Sequence, residues 1–437
     1  MKLEIMKYLS ILILFCACSN VSFDQKASTF SNKGITSDAL LDAKGNFYIC
    51  GETSVFTSGK PSQAVNKDAF FVYSNDFGKT FHGYSYGEAN QAERFERILT
   101  YDNSLILSGF YGDSKSKFLL RVLPEGKTVW AIQSEIYKTF DQGDVAVDPT
   151  GNILLSSKNP TDDAYLGFMH LIDKEGNCKW SKRMSAMEIM QDIICTRDSQ
   201  FIISYKQKGA FIDGSTRKKY WMNSFHKINK EGSFIWSNKF HIEVDQASDC
   251  VFNKVLEDQA GNLYFIGRIE LLKSKGHDLF IIKTNSTGTI LWSSIYATSN
   301  EFAFKNACFH ESGNLLLVAD GYGKNGGLVY MEMKPDGVIS WSKIKATANY
   351  EQVINILPGK NKYAIVWDKL LNFSTFTMDA KGNSCYTDVK EQIIERQNFP
   401  VLLDTYHGSW DPAVSDWKKI EISLLPHSEI PLTNECK

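Results

Sequence analysis

The stretch from Leu256 to Trp292, LEDQAGNLYFIGRIELLKSKGHDLFIIKTNSTGTILW, holds four apolar segments separated by three chain reversals. The first segment ends in an Asp258-Gln259-Ala260-Gly261-Asn262 turn, and the second runs from Leu263 to Gly267. The third runs from Leu279 to Thr284, and the fourth follows a turn at Gly288 and closes on Trp292. Asp or Asn at the start of a tight turn bonds its own backbone, and Gly supplies a positive φ. The flanking aromatic and β-branched residues suit a pleated surface. The stretch therefore reads as two hairpins in series, four strands in all.

The same order of signals recurs seven times between Asp38 and Asp388. First turns of the same kind stand at Asp42 to Asn46, Asp148 to Asn152 and His310 to Asn314, with weaker versions at Tyr101-Asp102-Asn103, Asp198-Ser199-Gln200 and Pro358-Gly359-Lys360. The second-turn glycines fall at 78, 126, 176, 232, 288, 337 and 382, spaced 48, 50, 56, 56, 49 and 45 apart. One four-stranded sheet cannot cover both its apolar faces, whereas sheets stacked face to face around a ring do so and leave only short edges. The expected fold is all-β, a seven-bladed β-propeller of four-stranded antiparallel blades. Trp130, Trp180, Trp236, Trp292 and Trp341 recur at the fourth strand, a slot that argues for packing between blades. The predicted core adds Leu263, Phe265, Phe280, Ile282, Leu315 and Leu317.

The combination D-x-x-G-N-hhhhG followed by hhhhK-x-x-x-G-x-hhW, with h apolar, resembles the repeats of secreted bacterial β-propellers, including the pyrroloquinoline-quinone-like type found in some envelope lipoproteins. The resemblance covers residues 38–388 and implies a propeller; it assigns no activity, because the architecture hosts enzymes and scaffolds alike. The quinone-dependent enzymes of this type often place adjacent cysteines over the cofactor, and this chain has no Cys-Cys pair. No cofactor is expected.

The domain reading follows. Lys2 and Lys7 precede an apolar run from Tyr8 to Phe15, the size of a secretory signal core. It ends in Cys16-Ala17-Cys18, which resembles a bacterial lipobox with Cys18 as the lipidated residue; Phe15 and Cys16 depart from the commonest pattern, and Met6 is an alternative start. Residues 1–17 are thus read as a lipoprotein signal peptide, 18–36 as a flexible tether, 37–388 as the propeller and 389–437 as a tail. The tail forms either a ring-closing strand or a small cap. The expected address is the bacterial cell envelope, lipid-anchored, at the outer membrane. Seven cysteines remain besides Cys16 and Cys18, and Cys385 with Cys436 is the one disulfide expected.

The 437 residues carry 48 basic and 50 acidic side chains, a net charge of −2, so nothing favours binding to nucleic acid. No G-x-S-x-G elbow, H-E-x-x-H helix or Walker loop is present. Gly321 to Gly326 spells G-x-G-x-x-G, yet a strand rather than a helix is expected after it. The eight histidines lack metal-ligand spacing, and the Asp-x-x-Gly-Asn turns lack the ligand count of a calcium loop. No catalytic or metal-binding residue is assigned.

Strand alternation sends both Gly turns of each blade to one end of the ring and the longer loops to the other. The long loops are expected at Glu52 to Lys67, Lys206 to Lys219, Ile269 to His277 and Asp320 to Gly327, and function tends to sit on such loops. The candidate partner face takes the basic cluster Lys206, Lys208, Arg217, Lys218 and Lys219. It also takes acids of the inter-blade linkers, Asp141, Asp192, Asp245, Glu301 and Glu351, with Glu93 beside them. These acids either ring the channel mouth or cap strands. The leading expectation is a monomeric, noncatalytic lipoprotein that binds a protein or surface polysaccharide. A glycan hydrolase or lyase needs two linker carboxylates roughly 5–10 Å apart. An outer-membrane protein assembly factor is the third reading.

Overall fold

The computed structural model describes residues 27–434 except 32–34, 43, 54–66, 76–79, 88–91, 113–115, 139–144, 160–165, 185–187, 214–215, 242–246, 272–275, 298–300, 323–326, 347–350, 360–361, 370–371, 385–388, 392, 400, 406–409, 414, 423 and 428–432. Seven antiparallel sheets form a ring, the seven-bladed propeller that the repeat predicts. The first strands are Ile35–Leu41, Glu93–Tyr101, Val145–Val147, Glu188–Cys195, Ala247–Glu257, Glu301–Phe309 and Glu351–Gly359. Each packs on the first strand of the next blade, and the last packs on the first, so these strands are innermost and the ring is closed. In blades 1 to 6 the second, third and fourth strands follow outward in chain order.

The turns form as their residues dictate. In blade 5 the Asp258 Oδ1 accepts the N–H groups of Ala260 and Asn262 at 2.9 and 2.8 Å, and its Oδ2 accepts the Asn262 amide at 2.9 Å. Gly261 takes φ +80°. Where Gly is missing, Asp102 and Ser199 take the left-handed conformation themselves, at φ 55° and 59°. The strand Gly327–Met333 follows the G-x-G-x-x-G sequence as expected.

Seven apolar clusters fill the seven gaps between blades. Leu263, Phe265, Phe280, Ile282, Leu315 and Leu317 are all buried in them. The fourth-strand tryptophans play the predicted inter-blade part, but only Trp130 is buried by area. Four of the five reach over the next blade's second turn. The indole N–H groups of Trp130, Trp180, Trp236 and Trp341 donate to the carbonyls of Lys174, Lys230, Ser286 and Ala380, each two residues before a turn glycine.

Two departures concern the ends of the chain. The seventh repeat does not supply its own fourth strand: Ala27–Ser31 does, pairing with the third strand Asn372–Asp379. The tether read over 18–36 therefore gives way to a strand at Ala27, and the closing segment expected near Cys385 is replaced by the N-terminus. The tail is neither one closing strand nor a cap. Val389–Glu391, Glu395–Asn398, Leu402–Thr405, Asp411–Pro412, Lys418–Ile420, Leu425–His427 and Thr433–Asn434 add a fifth strand to blades 6, 5, 4, 3, 2, 1 and 7 in turn. This belt runs once round the rim, opposite to the order of the blades. Its apolar side chains enter six of the seven clusters: Val389, Ile394, Phe399 with Val401, Trp410, Trp417, and Ile422 with Ile420 and Leu424.

Candidate functional site

Among the described residues, the long-loop end carries one element unlike its counterparts. The second and third strands of blade 4, Phe201–Asp213 and Thr216–Ile228, hold 13 residues each and pair as far as Asp213 and Thr216. In blade 5 the equivalent strands have 9 and 8 residues. The loop expected over Lys206 to Lys219 is thus a projecting β-hairpin. Lys208, Arg217, Lys218 and Lys219 occupy its strands, with Arg217 opposite Ile212, Lys218 opposite Phe211 and Lys219 opposite Ala210. Lys206 does not join them. It is buried at the hairpin's base and ion-paired with Asp249 of blade 5, which gives it a structural role between blades.

The linker acids are not one ring. Asp192 follows the strand-capping alternative: it lies buried within the first strand of blade 4, just past a bulge. Its Oδ2 accepts the Val255 N–H of blade 5, and Lys254 stands 3.8 Å from its Oδ1. Asp38 repeats the device in blade 1, accepting the Ile98 N–H of blade 2 at 3.2 Å. Burial raises the Asp38 carboxyl above the usual carboxylate range, and the Arg97 and Lys254 cations draw it partly back. Glu93 opens the first strand of blade 2 and is fully buried. Glu301 and Glu351 open the first strands of blades 6 and 7, where they pair with Tyr322 and Lys369. Asp141, Asp245, Cys18, Cys385 and Cys436 lie outside the described residues. Two of these acids, Asp192 and Glu93, are thus buried within the first strands of their blades.

At the opposite, short-turn end the channel mouth opens into a cavity of about 990 Å³. Its wall comes from blades 1, 4, 5, 6 and 7, and includes Asp42, Arg197, Glu257, Asp258, His310 and Glu311. Glu257 ends the first strand of blade 5 and accepts the Arg197 N–H of blade 4 at 2.7 Å. Burial raises its pKa, with Asp198 adding repulsion. Loop length alone does not point to this end. Its signal in the sequence is that the first turn joins the two innermost strands, so its residues must border the axis.

No protein-family model matches the chain, and no curated protein matches it in sequence. Solved structures are similar to it at low identity. A protein of unknown function from Bacteroides caccae is 14% identical, with 67% of this chain and 94% of that one covered and a TM-score of 0.39. One from Dyadobacter fermentans is 10% identical, covering 81% and 98%, with a TM-score of 0.42. PorZ, a bacterial surface component of the type-IX secretion system of Porphyromonas gingivalis, is 10% identical over 89% of this chain and 59% of its own, with a TM-score of 0.44.

The repeat turns are self-contained. Besides Asp258, the carboxylates of Asp148, Asp173 and Asp379 each bond the N–H two and four residues on. Against the upward push of burial, these bonds hold the three carboxyls below their usual range. Oxygens used this way serve the turn, which is the role their sequence suggested. Among the described residues no group of three His, Cys, Asp or Glu is placed to hold a metal.

Proposed function

We propose that this chain is a noncatalytic, lipid-anchored protein of the bacterial cell envelope whose propeller binds a protein or polysaccharide through its long-loop face. The observation that carries the reading is the blade 4 hairpin, whose 13-residue strands extend past the body of the ring. A closed wheel with a belt on its rim is a stiff platform for such an element, and its basic residues suit a partner with acidic groups.

The test replaces residues 208–221 with an Asn-Gly turn, which closes the hairpin on the Gln207–Met222 pair and keeps the register. Envelope crosslinking and a surface-glycan binding panel are then run on both forms. The expected result is a partner captured by the native chain and lost from the shortened one, at an unchanged melting temperature. An identical set of partners for both forms would remove the hairpin, and with it this reading.

A further inference from the structure

We infer that the short-turn face is the side of the wheel turned toward the lipid leaflet, with the blade 4 hairpin directed away from it. The inference rests on lipidation of Cys18 and goes beyond it by fixing orientation.

Strand polarity supplies the first step. Third strands run from the long-loop end to the short-turn end, where the second turns stand. Ala27–Ser31 is antiparallel to the third strand of blade 7, with Ala27 opposite Phe376 and Ser31 opposite Asn372. The chain therefore enters blade 7 from the short-turn side.

Length supplies the second step. Residues 19–26 alone separate Cys18 from Ala27. At about 3.3–3.6 Å per residue that segment reaches roughly 30 Å when fully extended. Ala27 stands opposite Phe376, so the long-loop end of that strand at Asn372 lies about 13 Å back and the short-turn end at Asp379 about 10 Å ahead. A leaflet at the long-loop end would require the segment to reverse and travel back past the strand it has just entered, whereas a leaflet at the short-turn end lies straight ahead of it.

The third step is independent of the anchor. Val129, Ile235, Leu291 and Val338 are exposed by 48, 51, 51 and 45%. They stand in blades 2, 4, 5 and 6, each within three residues of a second-turn glycine. The belt pairs farther along those fourth strands, at Ala131–Gln133, Asn238–His241, Ser294–Ala297 and Lys343–Lys345, and leaves this collar uncovered. Of the six large apolar residues exposed among the described residues, four thus lie at the end where the anchor enters. Exposed Lys and Glu alternate in the neighbouring turns, as at Lys174-Glu175, so apolar insertion rather than net charge makes the contact, and a zwitterionic leaflet suffices. The cavity at the short-turn mouth then opens onto the headgroups.

The experiment uses the acylated full-length chain in phosphatidylcholine vesicles that carry a doxyl-lipid quencher. An environment-sensitive fluorophore is placed on Val338→Cys or on Ala346→Cys, at opposite ends of one strand of blade 6, with the unsubstituted chain correcting for native thiols. Quenching at 338 several-fold above that at 346 is expected. A second chain carrying Ile235→Ser and Leu291→Ser should lose at least half of the quenching at 338 with an unchanged circular dichroism spectrum. Equal or reversed quenching in a chain whose acyl groups are confirmed by mass overturns the orientation and leaves the anchor standing. An N-terminal peptide without acyl groups instead sinks the anchor on which the inference depends. Quenching at 338 unmoved by the double substitution removes the collar from the contact and overturns that part.

Discussion

Burial holds the imidazole of His226 neutral, its pKa pushed down to about 3, with repulsion from Lys239 adding to the effect. His170 is held in the same way, also at about 3. The unfolded chain binds protons at both residues below about pH 6.5, so their contribution to stability is complete above that value and is lost progressively toward pH 3. The turn carboxylates lose theirs only below about pH 4. Replacing His226 by leucine, in a slot that holds Ile282 in blade 5 and Met331 in blade 6, should abolish about 2 kcal/mol of the loss between pH 6.5 and 4. Melting temperatures of both chains across that range check it; parallel curves count against it. Asp278 has the opposite sign: burial raises its carboxyl to about 6, so ionisation above pH 6 costs stability. Asp278→Asn should gain about 1 kcal/mol at pH 8 and little at pH 4.5, measured by urea unfolding. Ser199 stands in the left-handed region where five of the other first turns place glycine or tolerate strain. Ser199→Gly should stabilise by about 0.5–1 kcal/mol, since the relief of φ strain exceeds the added entropy of the unfolded chain.

Between one blade and the next, the Trp clasp unites a hydrophobic contact with one directed bond. Four of the five indoles reach a turn carbonyl, at 2.8 Å for Trp180, while the Trp292 ring lies under the Arg396 guanidinium of the belt at 5.3 Å. Among the described residues the Trp292 Nε1 has no hydrogen-bond partner. Trp180→Phe should therefore cost about 1 kcal/mol more than Trp292→Phe in chemical unfolding, and equal costs would mean that packing alone carries the clasp. Strands, turns and the slot of each Trp were legible because their causes are local: a period of two, a turn residue, a glycine. The blade 4 hairpin was misread as a loop because Gln207 to Lys219 is polar enough to resemble one, and only pairing across Asp213 and Thr216 shows otherwise. Lys206 was misplaced for a related reason: its partner, Asp249, belongs to a neighbouring blade. The belt was hidden most deeply. Its pieces are two to four residues long, and their pairing partners lie up to several hundred residues away.

At the scale of the whole molecule, both chain ends act on closure, and they do so differently. Ala27–Ser31 completes one blade, joining the last repeat to the segment that precedes the first. The belt instead covers the outer edge of every blade and places Phe399, Trp410, Trp417 and Ile422 in four separate inter-blade clusters. An apolar side chain of that size contributes about 1.5–3 kcal/mol when buried, so four of them together approach the roughly 5–15 kcal/mol net stability of a typical domain. Edges left bare would also offer unpaired backbone groups to other chains. A chain ending at Asp388 should accordingly lose its single cooperative thermal transition and associate, seen by calorimetry and light scattering. Supplying residues 389–437 as a separate segment during expression should restore a monomer. A truncated chain that stays monomeric and melts within about 3 °C of the intact one would show that the seven four-stranded blades close unaided. The belt would then serve only to shield edges, because the loss of even one anchor such as Trp410 should move the midpoint by more than that.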